Sequence, residues 1–142
     1  MPKTHQVNWQ PLSRMPLIAG MIKGSLDDTR EHLGTLTKAR DRPHVLDDAT
    51  IDRVEQVHTE QMAFVDIYTQ QISRWRKEKH SASQARELDR MEEQNQQLRG
   101  VTADVLTLGR ELRKGTIERV LGMGDVELGL QYILGRQSSD RG

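Results

Sequence analysis

Cysteine is absent from this chain, which excludes disulfides, thiolate nucleophiles and Cys-ligated zinc together. Charge of either sign in excess is also absent, with 21 Lys plus Arg against 21 Asp plus Glu. No global field draws in nucleic acid or an anionic membrane, so any such binding must be local. Long apolar runs are missing as well. The most apolar stretch, Leu17-Ile18-Ala19-Gly20-Met21-Ile22, lies between Arg14 and Lys23, far short of the ~20 residues that a spanning helix needs. It also lacks the apolar core of a secretory signal. The expectation is a cytoplasmic protein with no membrane partner. No strand is readable, so the glycines form no phosphate-binding loop after one, and Gly20-Met21-Ile22-Lys23-Gly24-Ser25 lacks the consecutive Gly-Lys-Ser/Thr order.

What is present is helical periodicity. An apolar share of 35% beside a charged share of 30% over 142 residues suits one domain of long, exposed helices in which surface outweighs core. Residues 1–14, with Pro2 and Pro11 and no helical period, read as an extended segment anchored by Trp9. Residues 15–135 read as a single helical-bundle domain, and 136–142, devoid of apolar residues, as a disordered tail.

The first helix is expected over about 15–40, where Ile18, Ile22, Leu26, Thr29, Leu33 and Leu36 recur at steps of three and four. Gly20, Gly24 and Gly34 weaken it by about 1 kcal/mol each relative to alanine. Gly20 and Gly24 share a face on which another helix could approach closely, which makes the apolar run before Lys23 a candidate contact surface. Arg42-Pro43 ends the segment. A second helix is expected over about 47–80, capped by Asp47 or Asp48. In it Ile51, Val54, His58, Gln61, Val65, Tyr68, Ile72 and Trp75 form an unbroken heptad seam. Val57 and Phe64 widen the stripe on one flank, implying a further neighbouring helix. A third is expected over about 83–114, burying Leu88, Met91, Asn95, Leu98, Val101, Val105, Leu108 and Leu112 and stopping at Gly115.

Both long helices open acidic and close basic, which suits their dipoles. Folding back near Ser81 sets the basic end of one beside the acidic start of the other. Facing residues then have numbers that sum to about 160: Val65 with Asn95, His58 with Thr102, Val54 with Leu106. Short C-terminal helices, Thr116–Gly122 and then Asp125–Gly135, complete the expected all-α architecture.

Three places could hold chemistry. Glu55-Gln56-Val57-His58 has the Glu-x-x-His spacing of di-iron carboxylate bundles. No second copy occurs in the chain, so a polar layer fixing register is favoured over a metal-binding carboxylate/His bundle, which is the remote alternative. Arg74, Arg76, Lys77 and Lys79 gather cations around Trp75 at the hairpin tip. They suit phosphate contact, although a helix C-terminus attracts the same residues. In the segment after Gly124, Val126, Leu130, Ile133 and Leu134 form one apolar face, with Leu128 and Tyr132 pointing elsewhere. Such a helix either plugs its own bundle or docks on a partner. Ser25, Ser73 and Ser81 have no His and carboxylate at suggestive positions, and His5, His32, His44 and His80 are scattered.

The expectation is therefore a non-catalytic helical scaffold, adaptor or structural subunit with no cofactor. It would act through protein partners, as a homo-oligomer or a subunit of a larger complex, with Val57, Phe64, Leu128, Leu130, Tyr132, Ile133 and Leu134 as its interface. The alternative is an accessory subunit of a nucleic-acid-binding complex using the basic tip.

Overall fold

Proline sets the entry to the first helix. Pro11 is extended and a single 3-10 turn, Leu12–Arg14, follows it. Helix α1 (Met15–Lys38) then starts with Pro16 in its first turn, where a missing amide hydrogen costs no helical bond. The computed structural model describes residues 7–116 and 120–122, less the side chain of Pro43. Two longer helices, α2 (Asp48–Lys77) and α3 (Ala82–Arg113), complete the architecture, and no strand occurs among the described residues. The fold is all-α, with the hairpin and packed N-terminal helix that the periodicity predicts. Of the two expected short helices, Thr116–Gly122 is described at 116 and 120–122, where the Val120 amide donates to Thr116 O at 3.0 Å, whereas Asp125–Gly135, the tail 136–142 and the first six residues lie outside the described residues.

The caps follow from local chemistry. The Asp47 carboxylate accepts from the Thr50 amide at 2.7 Å. The Thr50 hydroxyl first, and this amide second, hold the carboxyl below its ordinary pKa. At the hairpin the Gln84 amide donates to Ser81 Oγ at 3.0 Å and the Ser81 amide to Gln84 Oε1 at 2.9 Å. This reciprocal box satisfies two amides that have no partner within the helix, so α3 begins at Ala82, one residue before the expected start. At its other end α3 closes without a left-handed glycine: no described glycine has positive φ. There the amides of Lys114 and Gly115 bond to Glu111 and Leu112.

Three apolar clusters stack along the bundle. Met15, Ile18 and Ile22 of α1 meet Tyr68, Ile72 and Trp75 of α2 and Leu88 and Met91 of α3. Leu26, Val65 and Leu98 form the middle cluster. Leu36, Ile51, Val105, Leu108 and Leu112 form the third. The order shows α1 running parallel to α3 and antiparallel to α2. Full burial of such side chains is worth roughly 1.5–3 kcal/mol each, which makes these clusters the main source of cohesion.

The expected antiparallel pairing is present, with a displaced register. Asn95 does reach Val65, but Thr102 meets Gln61 rather than His58, and Val54 lies against Gly109 rather than Leu106. Helical side chains lean toward their own N-terminus. In an antiparallel pair both leans add, so side chains meet about one turn away from where the axes alone would place them. The ion pairs agree, with Arg76 on Asp89 and Glu92 at one end and Arg113 on Asp52 and Glu55 at the other.

One placement departs from expectation. Along its length α1 approaches α3, while its backbone stays further from α2. Val57 and Phe64 are therefore not covered by it, and Gly20 and Gly24 have no atom within 4 Å of where a Cβ would stand. Among the described residues no helix makes the close approach that the glycines suggested.

Candidate association surface

The polar residues in the seam are tied to one another. Gln61 on α2 donates through Nε2 to Thr29 Oγ1 on α1 and Thr102 Oγ1 on α3, both at 2.8 Å. Thr29 also donates to Ser25 O at 2.6 Å. One side-chain amide thus joins all three helices at a single level between two apolar clusters. Any slip of one helix would part the Gln61 amide from its acceptors, and a buried polar group left without its partner costs about 1–3 kcal/mol.

One turn away, His58 Nδ1 lies 2.7 Å from Val54 O. A carbonyl only accepts, so Nδ1 carries the hydrogen and Nε2 of the neutral ring is an acceptor. His32 Nδ1 stands 3.4 Å from that Nε2, with the rings edge to face. Burial lowers the pKa of His58, and the neighbouring His32 charge lowers it further, against the opposing carbonyl bond. Glu55 of the same Glu-x-x-His motif turns the other way and holds Arg113 at 3.0 Å. The two residues that could have formed half of a metal site point to different neighbours. Among the described residues no group of three or more His, Asp or Glu is placed to hold a metal ion.

Asn95 makes the third polar layer. Its Nδ2 donates to Val65 O at 3.1 Å and Thr69 Oγ1 at 3.0 Å. Its Oδ1 is buried with no partner.

Because α1 leans on α3, a groove opens between α1 and α2. It holds about 330 Å³ and is lined by His32, Leu36, Leu46, Arg53, Val54 and Val57. Val57 is 46% exposed, and Phe64, two turns further along α2, is 52% exposed. Met21 stands about three turns before His32 on the same face of α1, with Leu17 one turn earlier. These two are 44% and 52% exposed. Apolar side chains thus stand open along both rims. No family profile, curated protein or solved structure matches the chain. The surface must therefore be read from its own chemistry. Large exposed apolar patches on small proteins mark interaction sites, and these four side chains gather on one face. Leu128, Leu130, Tyr132, Ile133 and Leu134 of the expected interface lie outside the described residues.

The hairpin tip is less open than its composition suggests. Arg76 is held by Asp89 and Glu92 at 3.0 and 3.4 Å, and the Arg74 guanidinium lies 4.1 Å over the Trp9 ring. Lys77 and Lys79 are exposed. Trp75 is buried in the first apolar cluster, away from any base that could stack on it. Its indole Nε1 donates to Gln10 O at 3.0 Å. Gln71 grips the backbone of the same residue, accepting from the Gln10 amide at 2.8 Å and donating to its carbonyl at 3.4 Å. The segment is thereby strapped to α2 through the backbone of Gln10, while Trp9, the expected anchor, is half-buried under Arg74. Gln71 gave no such signal, since a glutamine on the flank of a seam is indistinguishable from a solvated one. Thr29 and Thr102 were placed toward the bundle, the first by its period and the second by the expected pairing of the helices, but their shared partner Gln61 was not readable. No described helix is long and apolar enough to cross a membrane.

Proposed function

We propose that this chain is a non-catalytic helical scaffold or adaptor that associates with protein partners through its α1–α2 face. A second copy of itself is included among those partners. The observation that carries the reading is the pair of open apolar rims, Leu17 and Met21 on one side and Val57 and Phe64 on the other. Two further features support it. The polar groups drawn into the bundle spend their hydrogen bonds on one another and so serve register. The cations of the hairpin tip are partly neutralised within the fold. Aromatic and large apolar side chains at the centre of a face carry most of an interface's binding energy. Phe64 is therefore the expected anchor. Solution mass across the micromolar range tests the reading. Wild-type chain is expected to form a dimer or larger species, and Phe64→Asp is expected to return it to monomer with its helix content intact. A strictly monomeric wild-type mass across that range would remove self-association from the proposal.

A further inference from the structure

We propose that His32 on α1 and His58 on α2 form a two-imidazole binding site for Zn2+, which ties the two helices together across their open flank. The site stands whether or not a partner docks on that face.

The spacing of the donors fits the ion. His32 Nδ1 and His58 Nε2 are 3.4 Å apart. Two zinc–nitrogen bonds of about 2.0–2.1 Å at a tetrahedral angle place their nitrogens about 3.3–3.4 Å apart. With ring centroids 5.4 Å apart and planes at 83°, the two nitrogens lie on facing edges. A small rotation of the exposed His32 ring turns both lone pairs onto a shared ion.

His58 is also held as a ligand is held. Its Nδ1 hydrogen is committed to Val54 O at 2.7 Å, which fixes the tautomer, orients the ring and leaves the lone pair on Nε2. Histidines that bind metals almost always donate their other ring hydrogen in this way. His32 is exposed, so its own hydrogen can move to Nε2, on the far side of the ring. The neutral pair then offers two lone pairs to an ion without losing a proton.

Both rings line the α1–α2 groove, which gives an ion its entry path, and Leu36, Val54 and Val57 line it with them. Such an apolar shell limits the access of water to a bound ion. The donor set selects the class of ion, because imidazole suits zinc and its neighbours whereas magnesium and calcium require oxygen. Arg53 lines the same groove and no described acidic residue does. Two protein ligands beside a cation set the affinity well below that of a four-ligand site, with water in the remaining positions. The ligands come from different helices, so the ion binds the folded chain in preference to the unfolded one and stabilises it by mass action.

Calorimetric titration of the full chain with ZnCl2 tests the site, and one ion per monomer is expected. His32→Ala removes a ligand from an exposed position and spares the core. Loss of even an outer partner of a ligand costs about 10–100-fold in metal affinity. This variant is therefore expected to bind at least about tenfold more weakly and to lose the rise in Tm that zinc gives the wild type. His44→Ala and His80→Ala, both outside the groove, should leave both readouts unchanged. Imidazole nitrogen NMR needs no substitution: zinc should move the signals of His32 Nδ1 and His58 Nε2. No binding below millimolar ZnCl2, an affinity unchanged by His32→Ala, or zinc-induced shifts confined to other histidines would each overturn the proposal. One ion per two chains with a doubled mass would overturn it in favour of an ion held between copies. Self-association is read by mass without zinc, so its failure is a separate result.

Discussion

Helix α2 offers two flanks to its neighbours and they are used differently. Toward α3 it presents a closed seam with ion-pair clamps at both ends and side chains such as Val65 and Trp75 wholly buried. Toward α1 it presents a flank joined through Gln61 to Thr29 and His58 to His32, with Val57 and Phe64 left open. The polar joints on that flank hold the helices in line without drawing their backbones together. A bundle can therefore be fixed in register on a side where it is not closed, and that is the condition a docking face needs.

Truncation should separate the two flanks most sharply. Leu98→Ala, in the middle apolar cluster, is expected to cost about 2–5 kcal/mol, the range for emptying a packed core position. Urea unfolding followed by circular dichroism measures it, and a loss below about 1 kcal/mol would mean that the seam is looser than its burial implies.

Asn95→Leu probes an imperfect joint in the closed seam. The unpartnered Oδ1 costs desolvation, and the acceptors of Nδ2, Val65 O and Thr69 Oγ1, already bond to each other at 2.9 Å. Replacement by an apolar side chain of similar size is expected to raise stability by about 1 kcal/mol. A loss of that size would assign the layer a stabilising role as well as a register-setting one.

Acid should act on the open flank through His58. Its folded pKa lies below the ordinary 6.5, first because of burial and then because of His32. The unfolded chain therefore takes up the proton more readily. The stability contribution is full above about pH 6.5 and is lost as pH falls through the lowered folded value. Thermal unfolding between pH 7.5 and 5 should show this decline, and His58→Leu should flatten it. An unchanged slope in that variant would trace the pH dependence elsewhere.

The smallest effect is expected at Phe64→Ala in the monomer. A phenylalanine in a packed core costs about 3–5 kcal/mol to truncate. Here the ring is half exposed, and its loss should stay within about 0.5 kcal/mol, as for surface positions generally. A cost near the core range would show that the flank is covered where Phe64 stands.

The sequence disclosed these two flanks unequally. Ile51 to Trp75 and Leu88 to Leu112 keep helical period without a slip, so most of the buried stripes of α2 and α3 are readable, although Gln71 is buried without having been expected there and Thr102 is buried more fully than its neighbour Val101. The stripe of α1 is as clear, Thr29 included. The charge order also foretold which end of each helix meets which. The lean of α1 toward α3 was not readable, because the period of α1 shows only which side faces inward. Val57 and Phe64 were read as widening the stripe toward a further helix, but α1 is displaced from them and they stand half exposed. Partner choice within the polar layers was equally hidden. Gln61 and His58 announce a polar level, but a threonine fits inside or outside a helix bundle with equal ease.

The grip of Gln71 on Gln10 has an evolutionary corollary. Only the backbone of residue 10 is read, through its amide and carbonyl, whereas the Gln10 side chain turns back to Asn8 O. Almost any residue can therefore occupy that position without loosening the strap. Proline alone, lacking the amide hydrogen, would be barred. Among diverged copies of this chain, position 10 should drift widely in identity while remaining free of proline, and Gln71 should stay fixed.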